Sequence, residues 1–382
     1  MSAQSLFWVA GEPSGDLHAS RVLASLRKLR PDLAHVGYGG ARMAGEGFDL
    51  RYDLAGDAVM GIFPVIKALP RILRLLREAE ERLRRDRPAA VVLVDYPGFN
   101  FRLAAAAKRL GIPVLWYIAP QVWAWGAWRM RKVARLVDRL LCILPFEEAL
   151  FRGAGVDARY VGHPVVDHLA ESPRDAAVAA RLAAHRGAGP LIGVFPGSRG
   201  HVLDSLLPDF RRVVDAVLRA EPHARFALAV AAPRFAPKVE AVFGDEPRVL
   251  RVVGKSPDVM DAVDFALTTS GTTTLELACA GKPFVIGYRV SPVFYAVARS
   301  LVRVGHIGLA NLVAEQTVAP EHVGSRSLAA ALTADLLRYV RDPSAAAAAR
   351  TALNGVRMRL DVRGAYAHTA AEFAAFLASR GA

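Results

Sequence analysis

Five short stretches of this 382-residue chain gather polar side chains where an apolar run meets a turn. The first is GEPSGD, Gly11–Asp16, between the run LFWVA and a helical pattern. Small residues such as Gly15 let a ligand approach the backbone there, and a helix N-terminus favours anionic or polar groups. A plain turn capped by Ser14 or Asp16 is the competing reading. The second stretch is DYPGFN, Asp95–Asn100, at the end of the run AAVVLVD. A carboxylate at the mouth of an apolar strand can serve as a general base; alternatively, Asp95 caps a helix starting near Phe99. The third is YIAPQVWAW, Tyr117–Trp125, with Trp128 just beyond. Its indole rings can stack on sugars, touch acyl chains or pack between domains.

The fourth stretch, FPGSRG at Phe195–Gly200, again follows a strand pattern and precedes a helix. Gly197 permits the turn, Ser198 offers a hydroxyl, and the fork of donors on Arg199 can grip a diphosphate. It lacks the Lys-Ser/Thr ending of a P-loop, which argues against an ATPase. The fifth, TTSGTTTLELACAGKP at Thr268–Pro283, puts Ser270, Gly271 and Thr272 at a helix start, a setting for phosphate, or simply a hydroxyl-rich cap. Glu276, one turn further on, can bond ribose hydroxyls. Two phosphate-type turns in one half of the chain weaken the capping reading. No GxGxxG follows the first strand, which argues against a nicotinamide dehydrogenase. The histidines show no metal-ligand spacing, His163 in GHP reads as structural, and neither a metal nor a cofactor is expected.

The elements that must position these residues alternate. LFWVA, HVGYG, AAVVLVD, PVLWYIA, RLLCIL and ARYVG are separated by helical patterns, and the series restarts with LIGVF, RFALAV, RVLRVV, DFALTT and PFVIGY. Fully apolar strands interleaved with helices predict parallel sheets covered on both faces. The proline-bearing segment GHPVVDHLAESPRD reads as a linker between two doubly wound domains, 1–165 and 166–345. Ligands of such domains bind at the carboxyl ends of the strands, here in a cleft between the two. Pro70 suits the first turn of a helix to about Arg85. In it Leu69, Ile72, Leu73, Leu76, Ala79 and Leu83 form an apolar stripe among arginines, fit for a membrane surface or for the core.

The net charge of +13 suggests an anionic partner (nucleic acid, acidic lipid headgroups or a phosphorylated substrate) or simply an arginine-rich solvated surface, and charge alone does not choose among these. No recognised nucleic-acid-binding module is visible, so nucleic acid is the weakest of the three. Two cysteines, Cys142 and Cys279, sit in apolar surroundings and read as buried hydrophobes, which fits a cytoplasmic protein. No apolar run is long enough to span a membrane, and the N-terminus lacks the basic region of a secretory signal.

Taken in order, these motifs resemble the lipid-A-disaccharide synthase family. GExSGD, DxPxFN, a VWAW stretch, LPFE at Leu144–Glu147, GHP, PGSR, SGTxxLE, PxVxGYR at Pro283–Arg289 and the pair Asn311–Leu312 follow one another over about residues 8–315. The resemblance implies an α/β fold of two Rossmann-like domains (GT-B-like), the C-terminal one binding UDP. It also implies C-terminal helices, 346–382, crossing back to the first domain. By the same resemblance the enzyme transfers 2,3-diacylglucosamine from UDP to 2,3-diacylglucosamine 1-phosphate (lipid X), at an anionic inner-membrane surface and as a homodimer. Glu12 and Asp95 would then lie near the reacting sugars. Arg199, Ser270, Glu276 and Asn311 would hold UDP, and Tyr288 and Arg289 would join that site. The chain departs from the family at Pro64, Gly98, Val202 and Gly324. Two other readings share the pattern: a UDP-N-acetylglucosamine 2-epimerase, and a non-catalytic paralogue that binds a UDP-sugar or a membrane.

Overall fold

In the computed structural model, which describes residues 4–57, 62–124, 128–292, 295 and 305–381, the apolar runs become parallel strands. By contacts the chain divides into two units, Met1–Pro164 with Val362–Ala382, and Val165–Asp361. In the first, the elements are β1 (Ser5–Ala10), α1 (Pro13–Leu29), β2 (Ala34–Gly39), α2 (Ala41–Gly45), β3 (Asp49–Asp53), α3 (Ile62–Asp86) and β4 (Ala90–Val94). They continue with α4 (Pro97–Arg109), β5 (Val114–Tyr117), α5 (Trp128–Leu136), β6 (Arg139–Cys142), α6 (Pro145–Gly153) and β7 (Ala158–Tyr160). Pairing is parallel in the order β3-β2-β1-β4-β5-β6-β7. Between β1 and β4 the order reverses, which opens a crevice at their carboxyl ends.

Val91, Leu93, Val114, Trp116 and Leu140 are buried on one face of this sheet, against Leu75, Ala79 and Leu83 of α3 and Phe99, Leu103 and Ala107 of α4. Leu6, Trp8, Val92 and Leu115 fill the other, against α1 and the C-terminal helix Ala365–Ser379. Full burial of each such side chain is worth about 1.5–3 kcal/mol. That helix closes the face with Phe373 edge-on to Trp8, ring centroids 6.0 Å apart, and Tyr366 hydroxyl 3.0 Å from His18 Nδ1.

α3 begins eight residues earlier than the sequence suggests, so Pro70 stands inside it. Pro64 occupies the first turn instead, where a missing N–H leaves no hydrogen bond unmade. The expected apolar stripe divides. Ile72 and Leu76 pack on the core beside Leu75, Ala79 and Leu83, while Leu69 and Leu73 are each 41% exposed.

The expected linker is itself helical, with α7 (Pro164–Glu171) followed by α8 (Ala176–Arg186). The second unit continues as β8 (Leu191–Phe195), α9 (Gly200–Ala220), β9 (Arg225–Val230), α10 (Ala236–Phe243), β10 (Val249–Val253), α11 (Ser256–Ala262), β11 (Phe265–Thr269) and α12 (Thr273–Cys279). It ends with β12 (Phe284–Arg289), α13 (Leu309–Ala314), β13 (Glu321–Gly324), α14 (Ala329–Arg341) and α15 (Pro343–Leu360). Its parallel sheet has the order β10-β9-β8-β11-β12-β13, with the switch point between β8 and β11. Of the C-terminal helices, α15 packs on α12 and α13 within this unit; the last, α16 (Ala365–Ser379), packs on α1 in the first.

Candidate active site

The switch point of the first unit brings together the two carboxylates that the sequence singles out. Glu12 is the N-cap residue of α1 just past β1, with extended backbone and no capping bond from its side chain. Asp95 follows β4, and its N–H donates to the carbonyl of Tyr117 at 3.0 Å. Both Asp95 (φ 46°) and Tyr96 (φ 48°) are left-handed, a conformation that costs about 1–3 kcal/mol for a residue with a side chain. Strain of this kind persists where surrounding contacts enforce it. The buried Asn100 donates its amide to the Asp95 carbonyl at 2.7 Å. Gly11 leaves room for the Tyr96 ring, since a Cβ there would lie 2.2 Å from Tyr96 Cδ1.

The other residues of the first motif differ in their surroundings. Asp16 is buried, and its two carboxylate oxygens accept from the N–H groups of Arg42 and Met43 at 3.1 Å each, closing the start of α2. Ser14 is exposed on the first turn of α1, and Gly15 is buried against Ala10 and Val94. A side chain at Gly98 would meet nothing within 4 Å, so the departure there leaves the backbone unconstrained.

Glu147 gains a position that its motif alone did not give. It is 1% exposed, accepts from Trp123 Nε1 at 3.1 Å and, as a capping-box residue, from its own helix's Leu144 N–H at 3.2 Å. Burial, offset in part by these hydrogen bonds, lifts its carboxyl to about 8, and the charge of Asp95 adds to the rise. Trp123 stands edge-on to Phe146, centroids 5.1 Å apart. Trp125 lies outside the described residues, as do the side chains of Pro64 and Trp128.

The switch point of the second unit is hollow. A cavity of about 210 Å³ is lined by Gly197, Ser198 and Arg199 after β8, and by Ser270, Gly271, Thr272 and Thr273 after β11. Gly197 is required twice over: its φ is 98°, and a Cβ would stand 2.9 Å from Thr269 Cγ2. α9 starts at the next turn, so its N-terminal N–H groups and the exposed Arg199 guanidinium supply positive potential beside the cavity. Ala229, Ala231 and Ser256 also line it; they stand at the ends of other strands, where no motif marks them.

Tyr288 borders this cavity and a neighbouring one of about 630 Å³ that Arg289 also lines. The Arg289 guanidinium lies 3.7 Å from the wholly buried Asp209, a carboxylate that also accepts from Ser327 and the Leu328 N–H. Val202 touches both cavities with a methyl surface. Glu276 is half-buried on α12, and burial raises its carboxyl to about 6. Asn311 does not line either cavity. It is buried, its amide donates to the Ala319 carbonyl and to Glu321, and its oxygen accepts from the N–H groups of Val318 and Ala319. A side chain at Gly324 would press on Leu328 Cδ2 at 3.1 Å.

A family model described as lipid-A-disaccharide synthetase matches residues 6–370. The lipid-A-disaccharide synthase of Anaeromyxobacter dehalogenans is 40% identical over 367 residues, 95% of each chain. That of Syntrophus aciditrophicus is 37% identical over 368 residues, 96% of each. Among solved structures, the calicheamicin glycosyltransferase CalG4 superposes with a TM-score of 0.61 at 15% identity, covering 99% of each chain. The UDP-GlcNAc 2-epimerase of Neisseria meningitidis gives 0.57 at 12%, covering 98% of this chain and 99% of that one. At such identities the structural likeness speaks for the fold alone.

Proposed function

The chain belongs to the lipid-A-disaccharide synthase family, a family of glycosyltransferases, and from that premise we propose that it joins two acylated glucosamines. It transfers 2,3-diacylglucosamine from UDP to the 6-hydroxyl of 2,3-diacylglucosamine 1-phosphate, giving a β-1,6-linked disaccharide 1-phosphate and UDP. The observation that supports this best is the second-unit cavity, where Ser198, Arg199 and the start of α9 suit a diphosphate.

Asp95 takes the proton of the acceptor hydroxyl as its oxygen bonds to C1 of the donor sugar. The bond from C1 to the diphosphate breaks in the same displacement, and its electron pair leaves on UDP. Arg199 and the N–H groups of α9 stabilise that charge. A single displacement inverts an α-linked donor to a β product. Glu12 orients the acceptor beside Asp95. Ser270, Gly271, Thr272, Glu276, Tyr288 and Arg289 complete the donor site, and Asn311 supports it from behind.

Incubation with UDP-2,3-diacylglucosamine and its 1-phosphate acceptor, followed by mass detection, should yield the disaccharide phosphate and UDP. Formation of a 2-epimerised UDP-sugar without disaccharide would replace this reading with an epimerase. UDP binding with no turnover of either kind would replace it with a non-catalytic binding protein.

Because both sugars carry acyl chains, the protein works at the cytoplasmic face of an anionic inner membrane as a peripheral protein; a homodimer is proposed on the family resemblance alone. Among the described residues no helix is long and apolar enough to cross a membrane. Support for surface binding comes from the net charge of +13 and from the exposed pair Leu69 and Leu73 beside Arg74 and Arg77 on α3. Anionic vesicles should sediment the protein at low salt and release it at high salt; vesicles that never retain it exclude this arrangement.

A further inference from the structure

Ser270 lines the second-unit cavity, and its hydroxyl donates to the carbonyl of Ile307 at 2.7 Å. A carbonyl only accepts, so the single proton of this hydroxyl is spent within the protein. Towards the cavity Ser270 therefore offers lone pairs alone. Phosphate oxygens, being acceptors, gain nothing from it; an O–H or N–H of a ligand does. Arg199, which lines the same cavity, has only donors. The cavity thus holds Arg199 as a donor and Ser270 as an acceptor. A nucleoside diphosphate has partners for both, with acceptor oxygens on the diphosphate and donor groups on the ribose and the pyrimidine imide.

Ile307 is held in place by Glu321 of the edge strand β13. One carboxylate oxygen accepts from the Ile307 N–H at 3.0 Å and the other from the Gly308 N–H at 3.0 Å. The Asn311 amide donates to the same carboxylate at 3.0 Å, and His306 Nδ1 lies 3.5 Å from it. Bonds to an ionised acceptor are about twice as strong as neutral ones. Gly308 is pressed against β12, where a Cβ would stand 2.4 Å from Ile286 Cδ1.

We propose that Ser270 recognises the nucleoside of the donor and not its diphosphate, and that Glu321 is the positioning residue that keeps it in that role. This rests on the reading of the cavity as the nucleotide site. Isothermal titration of the full chain with UDP and with pyrophosphate tests both parts. Ser270→Ala should weaken UDP about three- to tenfold, the loss of one neutral hydrogen bond, and leave pyrophosphate unchanged. Equal losses for both ligands overturn the assignment. Glu321→Gln keeps one acceptor oxygen but turns an amide N–H₂ towards a backbone N–H; Glu321→Asp keeps the charge but draws it back. Each should reproduce the selective loss, and Ser270→Ala combined with either should be no weaker than Ser270→Ala alone. Wild-type UDP affinity in both Glu321 variants overturns the positioning role. Arg199→Ala, by contrast, should weaken UDP and pyrophosphate alike. A wild-type chain that binds neither ligand removes the nucleotide reading of the cavity itself.

Discussion

The side-chain amide of Asn100 reaches back five residues to the carbonyl oxygen of Asp95, 2.7 Å away, and fastens a turn in which Asp95 and Tyr96 are both left-handed. Asn100 itself is wholly buried. The bond explains why an Asn follows the carboxylate at this distance: its amide is the clamp on a strained strand end. Asn100→Ala should lower stability by about 0.5–1.5 kcal/mol in chemical denaturation, because the half-buried Asp95 carbonyl loses this hydrogen bond. It should also cut kcat tenfold or more while UDP affinity stays as in the wild type. Unchanged turnover would mean that the turn keeps its shape without Asn100.

With the turn intact, Asp95→Asn isolates the proton transfer. Loss of a general base typically costs about 10²–10⁴ in rate. The variant should unfold at the wild-type temperature and titrate with UDP normally, yet form disaccharide slower by that order. Glu12→Gln should lose less. Near-full kcat in Asp95→Asn would move the base elsewhere, with Glu12 next in line.

Arg199 faces the cavity at the head of α9. Its replacement by Ala removes a charge-assisted contact worth about 1.5–3 kcal/mol. Calorimetry should therefore register roughly ten- to hundredfold weaker UDP binding, with thermal stability held. Wild-type affinity in this variant would take Arg199 out of the site.

Glu147 gives the first unit a pH dependence. Its ordinary value is 4.5, and burial raises it to about 8 in the folded chain. The folded state thus holds a proton that the unfolded chain has released. The resulting stability is fully present below about 4.5 and is lost as the pH rises through about 8. Urea midpoints measured from pH 5.5 to 8.5 should fall more steeply for the wild type than for Glu147→Gln. The difference between the two isolates Glu147 from the buried histidines. Parallel curves would show that Glu147 ionises as an exposed carboxylate does.

Much of the scaffold is written locally. Apolar runs such as AAVVLV and LIGVF, divided by helical patterns, specify parallel strands, because only a sheet covered on both faces buries every residue of a run. The chemistry-bearing motifs follow these runs, so Asp95 after β4, Arg199 after β8 and Ser270 after β11 were legible as carboxyl-end residues from chain order alone. Where periodicity is ambiguous the reading faltered: Pro70 looked like a helix start, and β3 and β13 have too few apolar residues to stand out.

What a polar side chain does at such a place was decided only by the tertiary structure. Asp16 and Asn311 carry the residue types of a binding site, yet backbone N–H groups from other segments claim both. Glu147, marked in the sequence only as the end of a motif, turns out to be a buried partner of Trp123 as well as of its own helix start. Ser270 looked suited to phosphate and is left with lone pairs only, because its O–H donates to the Ile307 carbonyl. Sequence fixes which groups can donate and accept. Which of them remain available to a ligand depends on donors and acceptors brought up from distant parts of the chain, and hydrogen-bond capacity used within the fold is no longer there to be offered.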